Sequence, residues 1–268
     1  MLGARVAIMP DIPLAAVVVL CLAALAAGWI DAVVGGGGLL LLPALLLGLP
    51  ASTPAATALG TNKAVAIVGT TGAAVTYVRK APVDVPTAVR IGLAALAGSM
   101  GGAFFAAGMS TEVLKPVIMA VLVGVGAFVI FRPDFGTAPA TGPLPPRRVL
   151  AAIGIAGVGI GFYDGLIGPG TGTFLVLALT AVLRLDLVQA SANAKIVNCC
   201  TNAGALAMFA WQGAVLWQLA VLLAAFNLTG GMLGARTALK RGSGFVRVVL
   251  LVTVVGLVTK MAYEQWVA

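Results

Sequence analysis

The chain has 268 residues, 61% of them hydrophobic and only 9% charged, with a mean hydropathy of +1.11 and a formal net charge of +8. That mixture excludes an ordinary soluble domain and reads as an integral membrane protein. Lys and Arg fall in short clusters between apolar stretches, which excludes a nucleic-acid-binding face, and a chain without histidine lacks the commonest proton shuttle and transition-metal ligand.

In chain order, long apolar segments of about the 20 residues a bilayer requires are predicted at 13–34, 55–78, 86–107, 113–131, 149–167, 192–212, 214–235 and 245–263. Two shorter ones follow at 39–50 and 173–183. Arg5 and the apolar run after it could also form a signal peptide, but the internal counterpart at 149–161 favours a first transmembrane helix. Breaks fall at "RKAPVDVP" (79–86), "GMSTEVLKP" (108–116), "FRPDFGTAPATGPLPPRR" (131–148) and "KRGSG" (240–244). Cys21, Cys199 and Cys200 all lie in apolar segments, at spacings that suit neither disulfides nor a zinc site.

The chain aligns with itself. "GWIDAVVGGGG" (28–38) returns as "GFYDGLIGPGT" (161–171), matching Asp31 with Asp164. At an offset of 132, Lys63 matches Lys195, Gly72 matches Gly204, "LAGSMGGA" (96–103) matches "LTGGMLGA" (228–235), and Lys115 matches Arg247. The expectation is an all-α polytopic membrane protein of two tandem repeats, 1–131 and 149–268, joined by a proline-rich cytoplasmic linker at 132–148.

Loop charges arbitrate the topology. If the short segments are re-entrant, eight crossings divide the loop cations eight against six. If they cross, ten crossings place Arg79, Lys80, Arg90, Arg132, Arg147, Arg148, Arg184, Arg236, Lys240, Arg241 and Arg247 together against Arg5, Lys115 and Lys260. Eleven against three favours ten, with both termini outside; an odd number of helices per repeat makes the repeats inverted, an architecture common among secondary transporters.

Ionisable groups at membrane depth are rare and by default functional. Each repeat carries one Asp before a glycine-rich break and one Lys 31 or 32 residues later. Gly35, Gly36, Gly37 and Gly38, and "GPGTG" with Gly168, Gly170 and Thr171, loosen the helix and let backbone amides approach a ligand; the helix that begins after each break turns its positive dipole end to the same place. Thr61, Asn62, Thr70 and Thr71 around Lys63, and Asn193, Asn198, Thr201 and Asn202 around Lys195, are neutral groups suited to a small oxyanion. Asp31 with Lys63, and Asp164 with Lys195, also read as mutually neutralising ion pairs. Gly101, Gly102, Gly230 and Gly231 read as close helix packing. "GPGTG" lacks the Lys-Ser or Lys-Thr of a nucleotide loop, and neither HExxH nor GxSxG occurs, so no cofactor, metal or enzymatic chemistry is expected.

These paired motifs, "GWIDAVVGGGG" with "GTNKAVAIVGTTGA" and "GFYDGLIGPGTG" with "SANAKIVN", resemble the sulfite exporter TauE/SafE family of membrane transporters over about residues 13–263. The resemblance implies a multi-pass cytoplasmic-membrane permease for small sulfur-containing or organic anions such as sulfite or sulfonates, often exporting them. Asp31, Gly35 to Gly38, Asn62 and Lys63 match the family motif directly; in the second copy Pro169 interrupts the glycines and "NAK" replaces "TNK", so Asp164, Gly168, Gly170, Asn193 and Lys195 match less closely. The reading is alternating access at a midplane anion site, with Asp31 and Asp164 as candidates for coupling to a proton or cation. A cation transporter built on those aspartates and a passive anion channel are the alternatives. Oligomeric state, direction and exact substrate are not legible.

Overall fold

The computed structural model describes residues 12–50, 52–81, 83–106 and 145–266. The helix expected at 113–131, most of the 132–148 linker, and Arg5, Lys115 and Arg132 lie outside them. Within the described residues every regular element is helical: α1 (Leu14–Val34), α2 (Gly37–Gly48), α3 (Ala55–Val78), α4 (Val85–Ala106), α5 (Pro146–Leu166), α6 (Thr171–Leu183), α7 (Leu187–Trp211) and α8 (Trp217–Trp266). The chain is thus an all-α polytopic protein.

By length and composition α1, α4, α5 and α8 can each cross a bilayer, and α6 with α7, bent by 119° at their junction, make a fifth candidate. Turn residues set these boundaries. Asp186 caps α7 by accepting from the amides of Val188 (2.8 Å) and Gln189 (2.9 Å), and Asp84 accepts from Thr87 (3.1 Å) at the start of α4. The segments expected at 214–235 and 245–263 form the two arms of α8, which meet at a kink at Gly242, inside the break expected at 240–244 and with a φ of 75° that only glycine adopts freely. A π-helical stretch, Ile153–Gly159, interrupts α5 and has no counterpart in α1.

α2 runs back along α1: Gly37 lies against Ala27 and Asp31, and Gly48 against Leu20. α6 likewise returns along α5, where Arg148 near its start donates to the Val182 carbonyl at 3.3 Å. Each half therefore begins with a helical hairpin whose glycine-rich tip points into the molecule, and the long helix that follows starts from the end where the hairpin began.

The halves interlock through the next long helices. α4 packs against α5 and α7, while α8 packs against α1 and α3. Small residues allow the backbones this close, since a Cβ on Gly28 or Gly69 would strike the Asn227 backbone or side chain, and one on Gly102 would strike the Phe162 carbonyl. Asn227 donates to the Ala24 carbonyl at 2.8 Å and Ser99 to the Thr201 carbonyl at 2.7 Å, so polar side chains buried at these crossings are satisfied across the halves. Leu14, Leu47, Leu93 and Val221 project outward, as lipid-facing residues do.

Candidate functional site

The two hairpin tips meet. Gly35 ends α1 in the left-handed region, at φ 82°, with its amide returned to the Asp31 carbonyl at 2.7 Å; Gly168 and Gly170 hold φ of 87° and 85° at the other tip. The Gly35 carbonyl accepts from the Thr173 amide at 3.2 Å, and the Gly35 and Gly172 backbones abut so closely that neither has space for a Cβ. Glycine is required at these two positions by contact as well as conformation.

The end of a helix leaves carbonyls without intrahelical partners, and within a bilayer each needs one. At the α1 tip every such group finds a donor. Lys195 Nζ binds the Asp31 carbonyl, Tyr77 reaches that of Ala32 (3.0 Å), Ser191 that of Val33 (3.0 Å), and Thr173 that of Val34 (2.9 Å). The α5 tip is closed largely by its own residues: Tyr163 donates to Pro169 (2.6 Å) and Thr171 to Gly168 (2.7 Å).

Two buried ion pairs flank the junction, and they cross between the halves. Lys63 Nζ lies 2.7 Å from Asp164 Oδ2, and Lys195 Nζ lies 2.9 Å from Asp31 Oδ2. The within-repeat pairs expected from sequence, Asp31 with Lys63 and Asp164 with Lys195, do not form. Each hairpin tip faces the long helix of the other half, so each aspartate meets the other half's lysine. Burial makes the pairing obligatory, because removing one partner from such a pair costs about 3–5 kcal/mol whereas removing both can be nearly neutral.

The pairs differ in their other contacts. Lys195 is fully buried and holds both the carboxylate and the carbonyl of Asp31, whose Oδ2 also accepts from Thr70 at 3.3 Å. At the other pair, Asp164 Oδ2 has no conventional hydrogen bond besides its contact with Lys63, and the nearby Asn62 Oδ1 is buried without any partner.

A small cavity of about 20 Å³ lies between the tips, lined by Asp31, Gly35, Gly38, Asn62, Lys63, Ala66, Asp164, Gly168, Thr171, Gly172, Asn198 and Asn202. That is room for about one water. Gly38 comes from the first turn of α2, Thr171 and Gly172 from that of α6, so two positive helix ends face the same space. Asn198 and Asn202 lie with Lys195 on one stripe of α7, at i, i+3 and i+7, and the same spacing on α3 gives Lys63, Ala66 and Thr70.

Of the residues expected at a site, Asp31, Gly35, Gly38, Asn62, Lys63, Asp164, Gly168, Thr171, Asn198 and Asn202 line this cavity. Lys195 stands behind Asp31. Thr61 instead ties α3 to α8, donating to Thr57 (2.7 Å) and accepting from the Leu216 amide (3.0 Å), and Asn193 bonds back to Gln189 on its own helix (2.8 Å). Gly36 and Gly37 form the α1–α2 bend, and Gly170 caps α6. The cavity also takes in Ala66, which lies on the stripe from Lys63, and Gly172, the last residue of "GPGTG".

Comparison with known proteins points to membrane transporters. The family model described as "Sulfite exporter TauE/SafE" matches residues 20–261. A "Probable membrane transporter protein ORF9" of Sinorhizobium sp is 30% identical over 254 residues, covering 94% of this chain and 95% of that protein. A "Probable membrane transporter protein" of Haemophilus influenzae is 31% identical over 239 residues (89% and 91%), and YfcA of Escherichia coli K12, also a "Probable membrane transporter protein", is 31% identical over 249 residues (92% and 90%). No solved structure matches.

Proposed function

The chain belongs to the sulfite exporter TauE/SafE family, a multi-pass membrane transporter, and from that premise we propose that it moves small sulfur-containing or organic anions, such as sulfite or sulfonates, outward across the cytoplasmic membrane by alternating access at the junction of the two tips. The observation that carries this reading is the crossed pair Lys63–Asp164, which sits at the cavity beside two helix N-termini.

Lys63 and Asp164 belong to different halves, so a displacement of one half against the other separates them. An oxyanion entering the widened gap takes the place of the carboxylate on Lys63, with amides of Gly38 and Gly172 and the side chains of Asn62 and Asn198 as further donors. Asp164, released, is the group that takes up a proton or faces a cation; Asp31 is the second candidate. With room for about one water, the cavity is too small for an oxyanion, and substrate binds only after the tips separate. An inside-negative potential drives a bound anion outward.

The ten-segment topology with a cytoplasmic linker draws support from the hairpins. Because α2 and α6 return along α1 and α5, Arg79, Lys80 and Arg236 come to one end of the molecule, where they line a common groove. Eight crossings would separate Arg236 from the other two.

The cation reading also has an observation in its favour, since Asn62 Oδ1 and Asp164 Oδ2 are buried acceptors without hydrogen bonds. Against it, Lys63 already stands 2.7 Å from that carboxylate. The test is labelled-sulfite flux in liposomes under imposed pH gradients or membrane potentials, comparing wild type with Lys63→Ala. Saturable flux with counterflow, lost in the variant, is the expected result. Sulfite-independent sodium or proton flux that survives Lys63→Ala would establish the cation reading, and non-saturable flux without counterflow would establish a channel.

A further inference from the structure

A second and larger cavity lies away from the tips. It is a groove of about 470 Å³ on the outer side of α3 and α8, lined by Ile67, Val68, Val75 and Met232 along its length and by Arg79, Lys80 and Arg236 at one end. The transport reading does not use it.

Its geometry matches one leaflet of a bilayer. From Ile67 to Arg79, α3 rises 12 residues, roughly 18 Å at 1.5 Å per residue, against a half-thickness of about 15 Å for the hydrocarbon core. The volume accommodates about fifteen methylene-sized groups if each takes roughly the 30 Å³ of a water in the liquid. Val68 and Val75 face outward, more than a third exposed. The three cations are exposed, and among the described residues none is paired with a carboxylate.

The charge is peculiar to this end. At the offset of 132, the counterparts of Arg79, Lys80 and Arg236 are Trp211, Gln212 and Phe104, so the matching positions of the other half carry aromatic and neutral side chains. Trp211 is 76% exposed and Phe104 57% exposed, as residues at a membrane interface are.

We propose that this groove binds an anionic glycerophospholipid, with an acyl chain along Ile67, Val75 and Met232 and the phosphate held by Arg79, Lys80 and Arg236. Phosphate accepts from such guanidinium and ammonium groups, and the anionic lipids of the inner leaflet supply it at the depth where the cations stand. The bound lipid bridges the two halves, because α3 belongs to one and α8 to the other.

Native mass spectrometry of the purified full-length chain, delipidated and titrated with phosphatidylglycerol or phosphatidylcholine, tests this. Wild type retains one phosphatidylglycerol and no phosphatidylcholine. Arg79→Gln/Lys80→Gln/Arg236→Gln weakens retention on the order of a hundredfold, at about fivefold for each cation near the surface. Val75→Trp, which fills the groove and leaves the charges, weakens it about tenfold, the equivalent of displacing a methylene or two. Arg184→Gln, a cation outside the groove, retains the lipid as wild type does. Equal retention by the triple variant or by Val75→Trp would overturn the proposal. So would stabilisation of wild type by inorganic phosphate to the same extent as by phosphatidylglycerol, or a lipid-free dimer that either groove variant converts to monomers.

Discussion

The two hairpin tips are built from matching sequence and held differently. The α1 tip is tied by Lys195, Tyr77, Ser191 and Thr173, three of them from the opposite half, and its aspartate is shared by Lys195 and Thr70. The α5 tip closes on itself through Tyr163 and Thr171 and touches α3 through Lys63. A region with its end carbonyls all bonded, three of the four across the interface, serves as a frame. The region with an unpartnered Asn62 Oδ1 and a singly held Asp164 is the one with capacity left for a ligand.

The largest expected effect sharpens the contrast between glycines. Gly35→Ala combines a φ of 82° with a Cβ position already filled by the Gly172 and Thr173 backbone, so folded protein is lost from fluorescence-detected size exclusion. Gly170→Ala has a similar φ, 85°, but nothing nearer than 3.7 Å, and loses only the conformational term of about 1–2 kcal/mol. Equal thermal stability for the two would break the distinction between a fixed and a loose tip.

Next come the ion pairs, deleted whole. Lys63→Met/Asp164→Leu removes both charges of a pair with few other bonds, so it melts within a few degrees of wild type while sulfite flux falls by more than about a hundredfold. Lys195→Met/Asp31→Leu leaves Thr70 without its acceptor and the residue-31 carbonyl with the Gly35 amide alone, and stays destabilised by about 1–3 kcal/mol. Thermal melts in detergent beside liposome flux separate them; a stable, inactive Lys195 double variant would reverse the assignment of frame and site.

The smallest effects lie among the asparagines. Asn62→Leu removes a buried acceptor that has no donor, so the melting temperature holds or rises by the equivalent of about 1 kcal/mol, while flux drops about tenfold. Asn193→Ala changes stability by no more than about 0.5 kcal/mol and leaves flux intact, since Asn193 bonds only its own helix. Loss of flux in Asn193→Ala would move the site along α7.

Most helices were legible because their causes are local. Runs of apolar residues, Pro-rich breaks and the Asp-Gly tip signature act within a few residues, and the predicted segments at 55–78 and 86–107 fall within a residue of α3 and α4. The kink of α8 at Gly242 falls within the "KRGSG" break, whereas nothing in composition marks the π-helical stretch of α5. At the site, most cavity residues were visible as polar or glycine positions in apolar surroundings. Thr61 and Asn193 misled because composition shows that a residue is polar without showing which way it points.

By itself the sequence determined that the chain lives in a membrane, that its two halves share a pattern, and that an aspartate, a glycine break and a lysine recur in each. Those are properties of composition and order along the chain. Only the tertiary structure decided which lysine neutralises which aspartate. The hairpins and the interlocked α4 and α8 bring each tip against the opposite half, and in a low-dielectric interior a buried charge pairs with whichever partner lies within reach, here across the halves.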